Sequence, residues 1–325
     1  MSSPDFDATF KLAAVQAAPI LFDKAATTAR VCALILEAGK NGANIIGFPE
    51  GFIPGHPGWI EVLPLSGEPA PSLFLEQFKN SVEVPSPETD AIGAACKEAA
   101  IYAVVGVNER RANTTGTLYN TQLFFGPDGS LLHKHQKFVP TVGERLIHAP
   151  GDTGSKASVT TDFGVLSGLI CGENGNPLAQ YSLSLDYPVV HVASWPSHFG
   201  PGSNLEAATH TLSGGLATSL MCYVINSVAM VGDDALEIYG LTDEIREFLR
   251  EEQKKRRTSI LGPGGVVIAG PLEDAQEGIV YAEVSRSSLI KGKYGLDYAG
   301  HYNRPEIFAH HFQRYLNNYE GVHGK

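Results

Sequence analysis

Three short segments of this chain carry residue types that do chemistry together. The first reads Gly168-Leu169-Ile170-Cys171-Gly172-Glu173-Asn174. The apolar run from Gly164 to Ile170 predicts a buried strand. Cys171 falls at its end, where the chain turns through Gly172 toward a helical segment, Pro177 to Leu185. A thiol at a strand-to-helix turn projects into a cleft, and nearby helix N-terminal amides favour its thiolate. The commoner fate of a free cysteine is that of a small buried apolar side chain, so this segment alone leaves both readings open.

The second segment, Asn44 to Pro57, contains a short apolar strand, Ile45 to Phe48, stopped by Pro49 and followed by Glu50 in a loop rich in Gly and Pro. A carboxylate at the end of a buried strand is costly to desolvate, which suits it to general base or acid work. A lone glutamate in a turn is more often simply solvated. The third segment, His133 to Arg145, sets Lys137 before Phe138-Val139-Pro140, with Glu144 after them. A lysine held beside apolar residues donates hydrogen bonds to developing negative charge. His133 and His135 alternate without a third ligand nearby in sequence, which is weak grounds for a metal site, and none is expected.

Together these segments resemble the carbon–nitrogen hydrolase (nitrilase) superfamily, whose members set a Glu, a Lys and a Cys at the ends of different strands in this chain order. The matching stretches are Phe48-Pro49-Glu50, Lys137-Phe138-Val139-Pro140-Thr141 and Ile170-Cys171-Gly172-Glu173-Asn174. Val142-Gly143-Glu144-Arg145, Ala193-Ser194-Trp195-Pro196 and the run from Leu296 to Pro305 extend the likeness, which covers Lys11 to Phe308. The Cys-x-Glu-Asn pattern and the His-Tyr-x-Arg-Pro ending are similar to the nitrilase branch rather than the amidase or carbamoylase branches. One departure stands out: nitrilases often carry Trp directly after the cysteine, and here it is Gly172.

The resemblance implies an α/β fold, a four-layer αββα sandwich, that pairs into an eight-layer dimer or assembles into a spiral. It implies Cys171 as nucleophile, Glu50 as base and Lys137 as stabiliser of a tetrahedral intermediate, with Glu144 as a further catalytic residue that orients the lysine and shares in proton transfer, or else a purely structural partner of Lys137 or Arg145. Glu173 is expected to position the loop after the nucleophile or to cap the next helix. Trp59, Trp195 and Phe52 are candidate pocket walls, because aromatic rings supply large apolar area around a substrate. His198 and Gly172 are expected at the same cleft. The implied reaction converts an organic nitrile, aromatic or arylaliphatic, to a carboxylic acid and ammonia, with amide as a by-product and no cofactor. An amide hydrolase, a cyanide-hydrating enzyme and a catalytically inert binding module are the alternatives. A thiol protease has no recognisable activating histidine motif here.

Composition agrees with a globular enzyme. The chain has 325 residues, 43% of them hydrophobic, and a net charge of −11. One domain over 1–325 is expected, with a core from 11 to 308 and a tail from 309 to 325 that contains Tyr315, Tyr319 and His323. An acidic balance without a long basic patch argues against nucleic acid. The run Lys254-Lys255-Arg256-Arg257 follows Glu247, Glu251 and Glu252 and reads as a solvated helix face. Four cysteines (Cys32, Cys96, Cys171, Cys222) form no Cys-x-x-Cys, and Met1 to Phe10 is polar and unlike a secretory signal, so a reduced, cytoplasmic protein is expected.

The elements that must position these residues alternate along the chain. Strands are expected at Leu12–Gln16, Ile45–Phe48, Tyr102–Val107, Leu118–Phe125, Leu131–Lys134, Val189–Ala193, Tyr223–Val228, Ser259–Leu261, Val266–Ala269 and Ile279–Glu283, and helices at Lys24–Ala38 and Asp90–Ala100. Gly126-Pro127-Asp128-Gly129 marks a hairpin. Ala207 to Gly232 lacks charged residues but is broken by polar ones, which predicts a buried helix and a core strand rather than a membrane span. Asp233 to Arg257 predicts one exposed amphipathic helix, an oligomer contact or a surface flap.

Overall fold

The computed structural model describes residues 6–273 and 276–323, with the backbone alone for 318–323. Residues 1–5 of the polar N-terminal stretch and the last two residues of the expected tail lie outside it, as do the side chains of Tyr319 and His323. The first half of the chain runs β1 (Thr9–Gln16), α1 (Lys24–Lys40), β2 (Ile45–Gly47), α2 (Ala70–Asn80), α3 (Pro87–Ala99), β3 (Tyr102–Arg110), β4 (Leu118–Phe125) and β5 (Leu131–Gln136). The second begins with β6 (Ser158–Thr161), β7 (Gly164–Ile170), α4 (Pro177–Ser184), β8 (Pro188–Trp195), α5 (Leu205–Leu220) and β9 (Tyr223–Val228). It ends with α6 (Asp233–Ile238), α7 (Asp243–Gln253), β10 (Ser259–Leu261), β11 (Val267–Ala269), β12 (Gly278–Ser285), α8 (Arg286–Lys293) and α9 (Pro305–His323).

The strands form two six-stranded sheets, β12-β1-β2-β3-β4-β5 and β11-β10-β9-β8-β7-β6. Each mixes parallel and antiparallel pairs: β1, β2 and β3 are parallel, as are β7, β8 and β9. Side chains alternate across a strand, and here the alternation sorts them into three cores. On β1, Ala13 and Val15 face Val31 and Ile35 of α1 and Ile92 of α3. Leu12 and Ala14 point the other way, toward Val192 of β8 and Ile225 of β9. Beyond the second sheet, Leu169, Ala193 and Val224 pack on Leu183 of α4 and Leu216 of α5. Three cores between four layers are the αββα sandwich. Each fully buried aliphatic side chain contributes about 1.5–3 kcal/mol, and helix starts are tied by caps such as Asp23 on Ala26 N (2.8 Å).

Polar bonds cross the middle of the sandwich. Ser227 Oγ donates to Gly47 O (2.7 Å), Ser194 Oγ to Phe48 O (2.8 Å), and Gln122 Nε2 of β4 to Ser194 Oγ (2.8 Å). The sheets come so close that a Cβ on Gly47 would stand 2.7 Å from Ile225 Cγ2 and 2.8 Å from Val192 Cγ1. Only glycine fits at that crossing.

Several expectations need correction. The segment 233–257 is two helices, because Thr242 opens a new one by capping Ile245 N (3.3 Å). It is not all solvated: Leu249 is fully buried, and Arg257, the end of the basic run, is buried against Glu252 at 2.6 Å. The expected core boundary at 308 falls inside α9. β6, α2, α8 and α9 are absent from the sequence expectation, whereas the buried helix and core strand expected over 207–232 are α5 and β9. Among the described residues no helix is long and apolar enough to cross a membrane.

Candidate active site

Three strand ends bring the expected residues together. Glu50 lies just past β2, in a loop whose backbone N–H reaches across to Trp195 O of the second sheet (3.2 Å). The loop presses on β3: a Cβ on Gly106 would come within 2.1 Å of Pro49 O. The side-chain amide of Asn108 holds its far side through Gly51 O (3.1 Å) and Gly55 O (2.9 Å). Lys137 directly follows β5, and its N–H donates to Asn120 O (2.8 Å). Cys171 directly follows β7 in a left-handed conformation (φ 53°), which a non-glycine residue keeps only where its surroundings enforce it. The enforcers are Asn174, whose Nδ2 donates to Cys171 O (2.9 Å), and Glu173, which accepts from Ile170 N (3.0 Å).

The Lys137 ammonium bridges two carboxylates, donating to Glu50 Oε1 (2.8 Å) and Glu144 Oε2 (2.6 Å). Asn120 Nδ2 donates to the same pair, to Glu50 Oε1 (2.6 Å) and Glu144 Oε1 (2.7 Å). All four side chains are buried. Glu50 Oε2 is buried without a hydrogen-bond partner among the described residues, so one carboxylate oxygen is held and the other is free to take a proton. Burial alone would depress the Lys137 ammonium, but the Glu50 and Glu144 carboxylates overcome it and hold it well above its usual range. Burial would raise Glu144, and Lys137 outweighs that, keeping its carboxyl well below the usual carboxylate range.

At Cys171 the amides of the turn do not prevail over burial. Burial, and then the nearby Glu50 charge, push its thiol well above its ordinary value, outweighing the Lys137 ammonium and a hydrogen bond from Gly172 N–H. A thiol in this position rests as S–H and would need a base before it could act as a nucleophile.

His148, with no place in the sequence expectation, completes the shell around Glu144. Asn108 Nδ2 donates to backbone carbonyls, so Asn108 Oδ1 is the atom that accepts from His148 Nε2 (2.8 Å). The other ring nitrogen, Nδ1, lies 3.0 Å from Glu144 Oε1.

Glu50, Lys137, Glu144 and Cys171 all line one cavity of about 290 Å³. His56 and Glu61 line it too, with Val142, Pro196 and Phe199 as apolar neighbours. Donor atoms of Glu50, His56 and Glu144 lie within 4.8 Å of one another, a spacing a cation could bridge, but the Lys137 ammonium already bonds both carboxylates. Burial lowers His56, leaving a neutral ring.

The expected pocket walls sit elsewhere. Phe52, Trp59 and Trp195 are buried in three separate apolar clusters and do not line the cavity, because each ring faces the packed side of its segment. His198 is buried against Tyr239 OH (3.0 Å) and stays out of the cavity as well. Glu173 ties the nucleophile loop to Phe138 N (2.5 Å) and His135 (3.0 Å), while Asn176 caps α4.

The buried histidines carry a pH consequence. Burial lowers His198 to about 4 and His191 to about 3. Below about pH 6.5 the unfolded chain takes up these protons and the folded chain does not, so stability falls as pH falls, by about 2 kcal/mol per histidine at about pH 5. Thermal unfolding across that window measures it; a midpoint that does not move on acidification would refute it.

Comparison with known proteins bears directly on this arrangement. Residues 11–294 match the carbon-nitrogen hydrolase family. The chain belongs to that family. It is 34% identical to a nitrilase of Bacillus sp. (strain OxB-1) over 94% of this chain and 88% of that one. It is 33% identical to an aliphatic nitrilase of Rhodococcus rhodochrous, over 95% and 84%. These relatives put it in the nitrilase branch, and it is a hydrolase of that type. Among solved structures, a carbon-nitrogen hydrolase from Helicobacter pylori G27 shares the fold with a TM-score of 0.69 at 17% identity, over 93% of this chain and 98% of that one.

In this carbon–nitrogen hydrolase Gly172 is exposed, and an added Cβ would meet only Thr141 Oγ1, at 3.8 Å. Thr141 lines the cavity. Gly172→Trp is therefore expected to fold and to shift the kcat/KM ratio about tenfold toward small nitriles over bulky ones. An unchanged profile over nitriles of graded size would place this position outside the pocket.

Proposed function

We propose that the protein hydrolyses a small organic nitrile to a carboxylic acid and ammonia through a covalent adduct on Cys171. The observation that carries this reading is the free Glu50 Oε2 in the same cavity as Cys171, with Glu50 Oε1 held by Lys137 and Asn120. Glu50 takes the thiol proton as sulfur attacks the nitrile carbon, and that proton passes to nitrogen to give a thioimidate. Glu50 then deprotonates a water, whose oxygen adds to the same carbon. Lys137 stabilises the charge of the tetrahedral intermediate. Protonated nitrogen leaves as ammonia, and a second water cleaves the thioester to release acid and restore the thiol. If sulfur leaves before nitrogen, the product is the amide. Glu144 and His148 orient Lys137 in this scheme rather than touching substrate.

The same reading takes the chain as one catalytic domain that self-associates; exposed Tyr302, Phe308 and Phe312 support a contact between copies. Four unpaired cysteines suit a reducing, cytoplasmic setting. Purified protein tested on matched nitriles, amides and cyanide decides the chemistry. Acid and ammonia from nitriles with slow amide turnover are expected, and fast amide cleavage with inert nitriles would overturn the proposal.

A further inference from the structure

We propose that Glu61 selects nitriles that carry a protonated amine, an inference that rests on the nitrile reading above. The carboxylates of the cavity are not all matched by cations. Glu50 and Glu144 both accept from the Lys137 ammonium and from the Asn120 side-chain amide, so each has donors inside the site. Glu61 lines the same cavity and adds a third carboxylate. It accepts a hydrogen bond from Gly200 N–H and pairs with no cation among the described residues. His56, the other polar wall, is neutral.

Glu61 is half-buried at the end of the turn Gly58–Glu61, whose neighbours Trp59 and Ile60 are packed into an apolar cluster. The carboxylate is thus held on a fixed turn rather than free to swing into solvent. A half-desolvated anion without a counter-ion is costly, and burial accordingly raises its carboxyl above the usual range, with Glu144 and Glu50 adding to the effect. A ligand ammonium would supply the missing charge and a charge-assisted hydrogen bond. The apolar walls of the same cavity, Val142, Pro196 and Phe199, suit the short apolar stem between such an amine and the nitrile. A neutral alkyl nitrile would leave Glu61 unpaired.

The test is a binding experiment on Cys171→Ala protein, which holds nitriles without reacting. A homologous series of ω-aminonitriles is compared with methyl-terminated nitriles of equal length by calorimetry. The best aminonitrile is expected to bind about tenfold or more tightly than its methyl counterpart. In the Cys171→Ala, Glu61→Gln double variant that ratio should collapse toward one, with folding checked by thermal unfolding. Equal binding of the two series in Cys171→Ala protein overturns the inference, as does a preference that survives Glu61→Gln. Selective binding of the amines, with no nitrile turned over by the wild-type protein, would leave Glu61 recognition standing and remove the nitrilase reading instead.

Discussion

Cys171→Ala is expected to abolish nitrile turnover, by at least about four orders of magnitude, while leaving the protein folded. In the proposed mechanism the sulfur is the atom that must bond to carbon, and Thr141 and Ser203, the hydroxyl residues that line the cavity among the described residues, are weaker nucleophiles than a thiol. The structural cost is small, since alanine keeps the apolar contacts of Cys171 with its cluster and the loop is held by Asn174 and Glu173, not by sulfur. Ammonia release and the mass of the intact protein after exposure to substrate measure the two halves. Near wild-type turnover, or an adduct still formed on the variant, would show that another residue is the nucleophile.

Lys137→Met should cost both activity and stability. In the proposed mechanism Lys137 meets the tetrahedral intermediate, so its removal is expected to lower kcat by about three orders of magnitude. The variant also leaves Glu50 and Glu144 buried with their shared cation gone, and breaking such a pair from one side costs about 3–5 kcal/mol. The sign of the pH dependence separates this cause from a packing defect. In the wild type Glu144 is held below its usual range, so its contribution is present above the ordinary carboxylate value and is lost only as pH falls through the depressed one. Without Lys137 the buried carboxylates bind protons more readily in the folded state than in the unfolded, which favours folding as pH drops. The stability gap between wild type and variant should therefore narrow from about pH 7 to about pH 5. A gap of constant size would point to packing alone.

The sequence was most informative where one physical period dominated. β4, β7 and β9 are long apolar strands, and their bounds coincide with those expected. Cys171 was legible because it follows the apolar β7 directly, whereas Glu50, just past the short β2, and Lys137, directly after the polar β5, were legible from the motifs around them. The misses have a common cause. Asn120 sits inside β4, where it reads as an interruption of an apolar strand, and only the meeting of β4 with Glu50 and Glu144 gives it work. His148 and Glu61 lie in turns without periodicity, and their importance comes from partners far along the chain, such as Asn108, and from the cavity they share. Trp59, Trp195 and Phe52 went the other way: aromatic bulk near the motifs resembled a pocket wall, but the cavity is walled by smaller and more polar residues. α2 was hidden by Pro69 and Pro71, which mark turns as readily as helix starts.

The bonds that join Gly47, Phe48, Gln122, Ser194 and Ser227 across the sandwich have a consequence for how this enzyme fails. Glu50 and Lys137 ride on one sheet and Cys171 on the other, so the gap between the proposed base and the proposed nucleophile is a dimension of the seam between sheets. A slip of one sheet over the other by a fraction of an ångström leaves every helix and strand intact and still separates the proton from its acceptor. Heat or a poorly fitting core substitution would then silence the chemistry while the body of the protein still looks whole, and activity becomes the most sensitive gauge of how the two halves are seated.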